Sequence, residues 1–292
     1  MALIYRDGSG TVDAFLFDCD GTIFPNVEKA HEAASCDTLR DAVAAHSKNV
    51  DYNLMATVWE EELGKGIRNF MQAYLDRHAK EFGETLPLLA EQLEADYEDA
   101  YIQMAHRASL PTATPTEKHF FDVRHGVKEA VAEGRANGVL MVVASNATQR
   151  ILDVSISASG IQFDDVIGSD TATAEGKALG FDWKPKPEGG PFQCALHRHN
   201  VNPDNAIGFE DTGSGMQSLQ KAGVTNIVRC KNHAIEIKVD QILAANDIKT
   251  TVSVSTRCNL LDALKTFIAV QAPQSQPQKP GTAPSQLVAQ LS

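Results

Sequence analysis

Two aspartates separated by a single residue, Asp18 and Asp20, end the apolar run of the segment FLFDCDGTI and are followed by Gly21 and Thr22. In an extended chain both side chains point the same way. Gly21 allows a tight turn, so both carboxylates can approach a bound phosphate. Two carboxylates sharing one metal divide into a nucleophile, which must be ionised, and an acid/base, which exchanges a proton with the leaving group. Magnesium is the ion expected, because it prefers oxygen ligands and bridges carboxylates to phosphate. Taken alone, the segment also fits a turn or a calcium loop.

Three further segments carry polar groups of the right kind. In VVASNATQR an apolar run ends at Ser145 and Asn146 just before a helical pattern. A hydroxyl there can bond a phosphate oxygen, helped by the backbone N–H groups of the helix start; the alternative is an ordinary helix N-cap. In WKPKPEGGPF, Lys184 and Lys186 alternate with prolines that restrict the loop. An ammonium fixed near the phosphate offsets the charge that builds during transfer, whereas most loop lysines are simply solvated. In IGFEDTGSGMQSLQKAG, Glu210 and Asp211 precede a Gly-rich turn that opens a helix. Adjacent carboxylates repel, and a divalent cation relieves the repulsion; capping of the helix dipole is the competing role.

The elements that must hold these residues are legible from periodicity. Val12 to Phe17 predicts a buried strand with carboxylates at its C-terminal end. From about Glu28 to Arg107 the chain turns to long helical patterns. One face is Leu63, Ile67, Phe70 and Tyr74, and another is Leu89, Leu93, Tyr97 and Tyr101. Pro25 marks one join of this insert, and Pro111 and Pro115 mark the other by interrupting helix. Beyond Val127, short apolar runs at Val139–Ala144, Val166–Gly168, Ala206–Phe209 and Asn226–Val228 alternate with helical patterns. Two of these are 147–159 and 213–222, the second closed by Gly223. The alternation predicts an α/β fold with a Rossmann-like parallel sheet, helices on both faces and an inserted all-α cap. Ligands in such sheets bind beyond the carboxyl ends of the strands, where Asp18, Ser145 and Asp211 all fall. The expected division is a core of residues 1–24 and 120–270, a cap of 25–119, and a flexible tail of 271–292 rich in Gln, Pro, Ser and Ala.

Composition narrows the function. The chain has 292 residues, 43% hydrophobic and 22% charged, the mix of an ordinary globular protein with room for two lobes. A formal net charge of −12 argues against non-specific binding to nucleic acid or an anionic membrane. The five cysteines are scattered and form no C-x-x-C pair, so neither a disulfide framework nor a structural zinc site is expected. No signal-like apolar run opens the chain and no window approaches a membrane span, which fits a cytoplasmic setting. His197 and His199 lie two apart on a helical pattern and do not share a face for a metal. Cys19 points to the opposite side from the aspartates, into the core.

Together the four segments, in this order, resemble the haloacid dehalogenase superfamily, in its phosphatase and phosphomutase branch with a helical cap, across residues from about 12 to 230. The resemblance implies Asp18 as nucleophile and magnesium ligand, and Asp20 as general acid/base that gives its backbone carbonyl to the metal. It implies Ser145 with Asn146 at the phosphate, Lys184 as the catalytic cation in preference to Lys186, and Asp211 with Glu210 as metal-binding acids. In the cap, Lys65 and Arg68 beside Gly64 and Gly66 are the candidates for substrate contact. The activity implied is a magnesium-dependent phosphatase acting on a small phosphorylated metabolite, such as a phosphosugar, through an aspartyl phosphate. A sugar phosphomutase like beta-phosphoglucomutase is the alternative within the family, and a non-catalytic binding protein is the alternative outside it. Monomer and homodimer are both open.

Overall fold

The computed structural model describes residues 2–45, 51–62, 66–83, 85–86, 88–232, 236–256 and 258–271. Strands β1 (Ala2–Tyr5) and β2 (Ala14–Phe17) come first. Helices α1 (Glu28–Ala45), α2 (Tyr52–Glu62), α3 (Ile67–Phe82), α4 (Ala90–Ala108), α5 (Pro115–Phe120) and α6 (Val127–Ala136) follow. The chain then alternates through β3 (Leu140–Ala144), α7 (Gln149–Ser159), β4 (Asp165–Ile167), α8 (Ser169–Leu179), α9 (Gly190–Arg198), β5 (Ala206–Glu210) and α10 (Gly213–Lys221). It ends with β6 (Asn226–Cys230), α11 (Glu236–Ala245), β7 (Val252–Val254), α12 (Leu260–Leu264) and β8 (Ile268–Gln271). Residues 272–292, most of the expected tail, lie outside the described residues, as do Leu63 and Lys65.

Six strands form one parallel sheet in the order β4-β3-β2-β5-β6-β7. The chain builds outward from β2 on one side, then crosses over to β5 and builds outward on the other. The order therefore reverses between β2 and β5, which opens a crevice at their carboxyl ends. Every residue of β2 is buried, and they alternate between two cores. Phe15 and Phe17 join Phe209 on the face covered by α6, α7 and α12. Ala14 and Leu16 face the side covered by α9 and α10. A strand buried on both faces cannot show polar alternation, which is why its sequence reads as a continuous apolar run. Separately, β1 pairs antiparallel with β8, joining the two ends of the described chain.

Helices α1 to α4 form the insert after the first strand of the sheet. Phe70 and Tyr74 of α3 and Leu93, Tyr97 and Tyr101 of α4 are buried, as their spacing predicts. Leu89 departs from that pattern: it is 73% exposed, because it precedes the first turn of α4 in extended backbone and so leaves the helix face. Pro115 differs as well, since it begins α5 rather than interrupting it. Thr114 caps the helix in a reciprocal box with Glu117, and a first-turn proline loses no helical hydrogen bond. Among the described residues no helix is long and apolar enough to cross a membrane.

The insert rejoins the sheet at Arg124, whose side chain is buried although no described carboxylate bonds it. Its guanidinium donates to the carbonyls of Gly21 at 2.6 Å, Thr22 at 2.8 Å and Lys231 at 3.4 Å. One cation thus ties the loop after β2 to the loop after β6. Arg124→Met would leave these carbonyls without their buried donor. It is expected to cost about 3 kcal/mol or more, at about 1 to 3 kcal/mol for each unsatisfied group. The measurement is the urea midpoint at unchanged slope, and a midpoint equal to wild type would refute the tie.

Candidate active site

Asp18 is the first residue beyond β2. Its N–H bonds the Phe209 carbonyl at 2.9 Å, extending the sheet register by one step and delivering the carboxylate into the crevice. Glu210 ends β5 beside it and Asp211 follows. Carboxylate oxygens of Asp18, Glu210 and Asp211, all buried, lie within 4.8 Å of one another. Glu210 is held by Thr212, whose N–H and hydroxyl both donate to Oε2, at 2.7 and 3.0 Å. Thr212 in turn caps α10 by accepting from the Gly215 N–H. Two glycines make room for the acids. A Cβ on Gly21 would stand 1.9 Å from Asp211 Oδ2, and one on Gly215 would stand 1.5 Å from Glu210 Oε1.

The cation of the site is Lys186. Its ammonium donates to Asp18 Oδ1 at 2.5 Å and Glu210 Oε1 at 2.8 Å, and lies 4.6 Å from the ring centre of Phe192. Only 4% of its side chain is exposed. This corrects the expectation for Lys184, which is exposed and pairs with Asp182 at 3.0 Å. The loop turns between the two lysines, with the Gly190 N–H bonded to the Lys184 carbonyl, so that Lys186 alone enters the crevice. The signal the sequence held is Phe192, the apolar residue six positions after Lys186, over whose ring that ammonium lies.

Other expected residues fall as follows. Ser145, buried at the end of β3, accepts the Ala147 N–H through its hydroxyl oxygen, leaving its own proton to donate. The Asn146 carboxamide is bonded to both backbone groups of Lys186. The Asp20 carboxylate is not part of the oxygen cluster and bonds a cap residue instead, His31 of α1, at 3.2 Å. Arg68 pairs with Glu94 on α4. His197 packs against Phe181 and Trp183, and His199 bonds Asp165. Cys19 is fully buried, and burial pushes its thiol well up.

His31 went unrecognised in the sequence because a lone histidine in a helical pattern carries no motif. Its ring bridges Asp20 and the Tyr97 hydroxyl, the latter at 2.5 Å, and stacks on Tyr101. Cap helix α1 therefore reaches the second aspartate directly, and α4 reaches it through His31. Thr148 and Arg150 of the sheet domain bond Glu98 of α4 in return.

The electrostatics separate the two aspartates. Burial raises the Asp18 carboxyl to about 8, with Lys186 opposing and Glu210 and Asp20 adding to the rise. Burial, then Glu210 and Asp18, push Asp211 well above the carboxylate range. Burial would raise Asp20 too, but His31 foremost, with the Lys186 charge and a bond from Cys19, outweighs it and holds that carboxyl low. Asp211 Oδ1 is buried without a hydrogen-bond partner. An oxygen-only set with an orphaned carboxylate oxygen and glycine-made space suits a hard divalent cation such as magnesium.

A pH dependence follows from the raised values. Between the ordinary carboxyl value of 3.8 and about 8, folded Asp18 holds a proton that the unfolded chain has released. Its contribution to metal-free stability therefore falls as pH rises through that window. A cation needs the ionised acids, so magnesium should bind more tightly, and stabilise more, toward pH 8. At a hundredfold excess over its Kd the gain is about 2.7 kcal/mol. Thermal melts with and without magnesium across this range would measure it; a difference that does not change with pH would count against the assignment.

Comparison with known proteins bears on this geometry. Residues 12–223 match the model of the haloacid dehalogenase-like hydrolases. A CBBY-like protein of Arabidopsis thaliana is 24% identical over 217 residues, covering 74% of this chain but only 62% of the plant protein. Among solved structures, CbbY of Rhodobacter sphaeroides, determined as a mutant with xylulose-(1,5)bisphosphate, has TM-score 0.56 at 19% identity, covering 75% of this chain and 86% of that one. A beta-phosphoglucomutase of Clostridium difficile has TM-score 0.58 at 16% identity, covering 87% and 96%. At such identities the solved structures speak for the fold. The family match spans most of the chain and includes all four polar segments, so this protein belongs to the haloacid dehalogenase-like hydrolases.

Proposed function

We propose that this protein is a magnesium-dependent phosphatase that hydrolyses a small phosphomonoester through a phosphorylated Asp18. The observation that carries the reading is the opposite treatment of the two aspartates. Asp18 sits with Glu210, Asp211 and the Lys186 ammonium. Asp20 is turned toward the cap and His31. One carboxylate is thus built for a metal and a phosphate, and the other for a proton.

In this mechanism an Asp18 oxygen attacks phosphorus as the bond from phosphorus to the leaving oxygen breaks, and Asp20 gives that oxygen a proton. Asp20, now ionised, takes a proton from a water that attacks the aspartyl phosphate, releasing phosphate and regenerating Asp18. Lys186 and the Ser145 hydroxyl offset charge on the transferring group. Bound magnesium, held by Asp18, Glu210 and Asp211, would neutralise these acids so that Asp18 is ionised at neutral pH. The contact from His31 holds Asp20 in its ionised form, suited to activating water. Protonation of Asp20 for the first step then calls for that contact to loosen, which ties the proton transfer to movement of the cap.

A phosphosugar or related metabolite is the substrate class proposed, supported by the bisphosphate-bound CbbY with the same fold. The test is phosphate release from a panel of phosphosugars and small phosphomonoesters, with magnesium or with chelator. Release that requires magnesium supports the reading. Isomerised sugar phosphate without release would replace it with a mutase, and silence across the panel would leave a binding role.

A further inference from the structure

Lys186 lies between Pro185 and Pro187, neither of which has an N–H. The loop ties itself together through Glu188 N–H to Pro185 O and Gly190 N–H to Lys184 O, passing over Lys186. Both backbone groups of Lys186 are instead bonded by one side chain. Asn146 Oδ1 accepts the Lys186 N–H at 2.7 Å, and Asn146 Nδ2 donates to the Lys186 carbonyl at 3.3 Å. The main chain of Asn146 is itself anchored, because Ser169 Oγ donates to its carbonyl at 2.8 Å.

We propose that Asn146 is a positioning residue that clamps the backbone of Lys186 and so sets where its ammonium stands between Asp18 and Glu210. A lysine side chain is long, flexible and has three rotatable donors, so its geometry is only as good as the placement of its Cα. Here the ammonium makes two short bonds to buried acids, and the loop has few of its own hydrogen bonds to hold it there. Asn146 is exposed, so its part in stability through burial is small and its bonding pattern is its main contribution. The inference rests on the reading of Asp18 as the phosphate-attacking group. It departs from the expectation that Asn146 touches phosphate.

The experiment has two arms. In the first, hydrogen exchange of the Lys186 amide, the single N–H in Pro-Lys-Pro, is compared between wild type and Asn146→Ala. The clamp predicts exchange at least about tenfold faster in the variant, and an unchanged rate overturns the proposal whether or not the protein is a phosphatase. In the second, a double-mutant cycle pairs Asn146→Ala with Lys186→Ala in magnesium-dependent phosphate release. Positioning predicts a loss in kcat of about tenfold with a smaller change in KM, since misplacement of about 1 Å can cost up to about a hundredfold. Placed on Lys186→Ala, the same substitution should cost less than about twofold. An equal loss in both backgrounds would make Asn146 a phosphate contact and overturn the proposal, as would wild-type kcat in Asn146→Ala. Should no substrate turn over, the phosphatase reading fails by itself and the exchange arm still decides the clamp.

Discussion

Asp18→Asn is expected to lower kcat by about four orders of magnitude or more, the scale on which loss of a nucleophile acts. The asparagine oxygen can still accept from Lys186, so the crevice should keep its shape. What it loses is the charge that attacks phosphorus. The substitution also removes one of three buried acids whose oxygens lie within 4.8 Å of each other. Folding of the metal-free protein then no longer has to keep a proton on that buried carboxyl, and the melting temperature at neutral pH should stay level or rise. Intact-mass measurement after mixing with substrate should show a phosphoryl adduct in the wild type and none in the variant. Turnover within tenfold of wild type would remove Asp18 from the mechanism.

Lys186→Met should reduce kcat by about 10²- to 10³-fold, the range seen when one fixed donor to developing charge is deleted. Burial alone would depress the ammonium, but Asp18 and Glu210 outweigh it and push its pKa up. The same balance read from the other side means that methionine leaves two buried carboxylates without their cation. Stability in the absence of magnesium should therefore drop by about 3 to 5 kcal/mol. Lys184→Met touches an exposed pair with Asp182 and should stay within about twofold in activity and about 0.5 kcal/mol in stability. Assaying the two variants side by side separates the lysines cleanly. Equal losses would mean that the loop adopts another arrangement in the working enzyme.

Local chemistry explains how much could be read in advance. The run ending in Asp18, the capped helix starts and the alternation beyond Val127 are patterns over a few residues. They need only strand and helix periodicity to become a parallel sheet with acids at its carboxyl edge. The position of Asp18, Ser145, Glu210 and Asp211 at the carboxyl edge was legible on that basis, because each is the residue at or just past a strand end.

The choice between Lys184 and Lys186 was not decidable from strand and helix period, since both sit in one proline-restricted loop. The turn of that loop and the bonds from Asn146 settle which ammonium enters the crevice. His31 meets Asp20 because α1 folds back over the strand end, and Arg124 gathers carbonyls from two separate loops because the insert returns between them. Residue type and periodicity thus placed the acids and the α/β architecture. The partners that tune those acids were selected by long-range packing, where residues distant in the chain become neighbours and where burial, rather than sequence pattern, sets the strength of each charge.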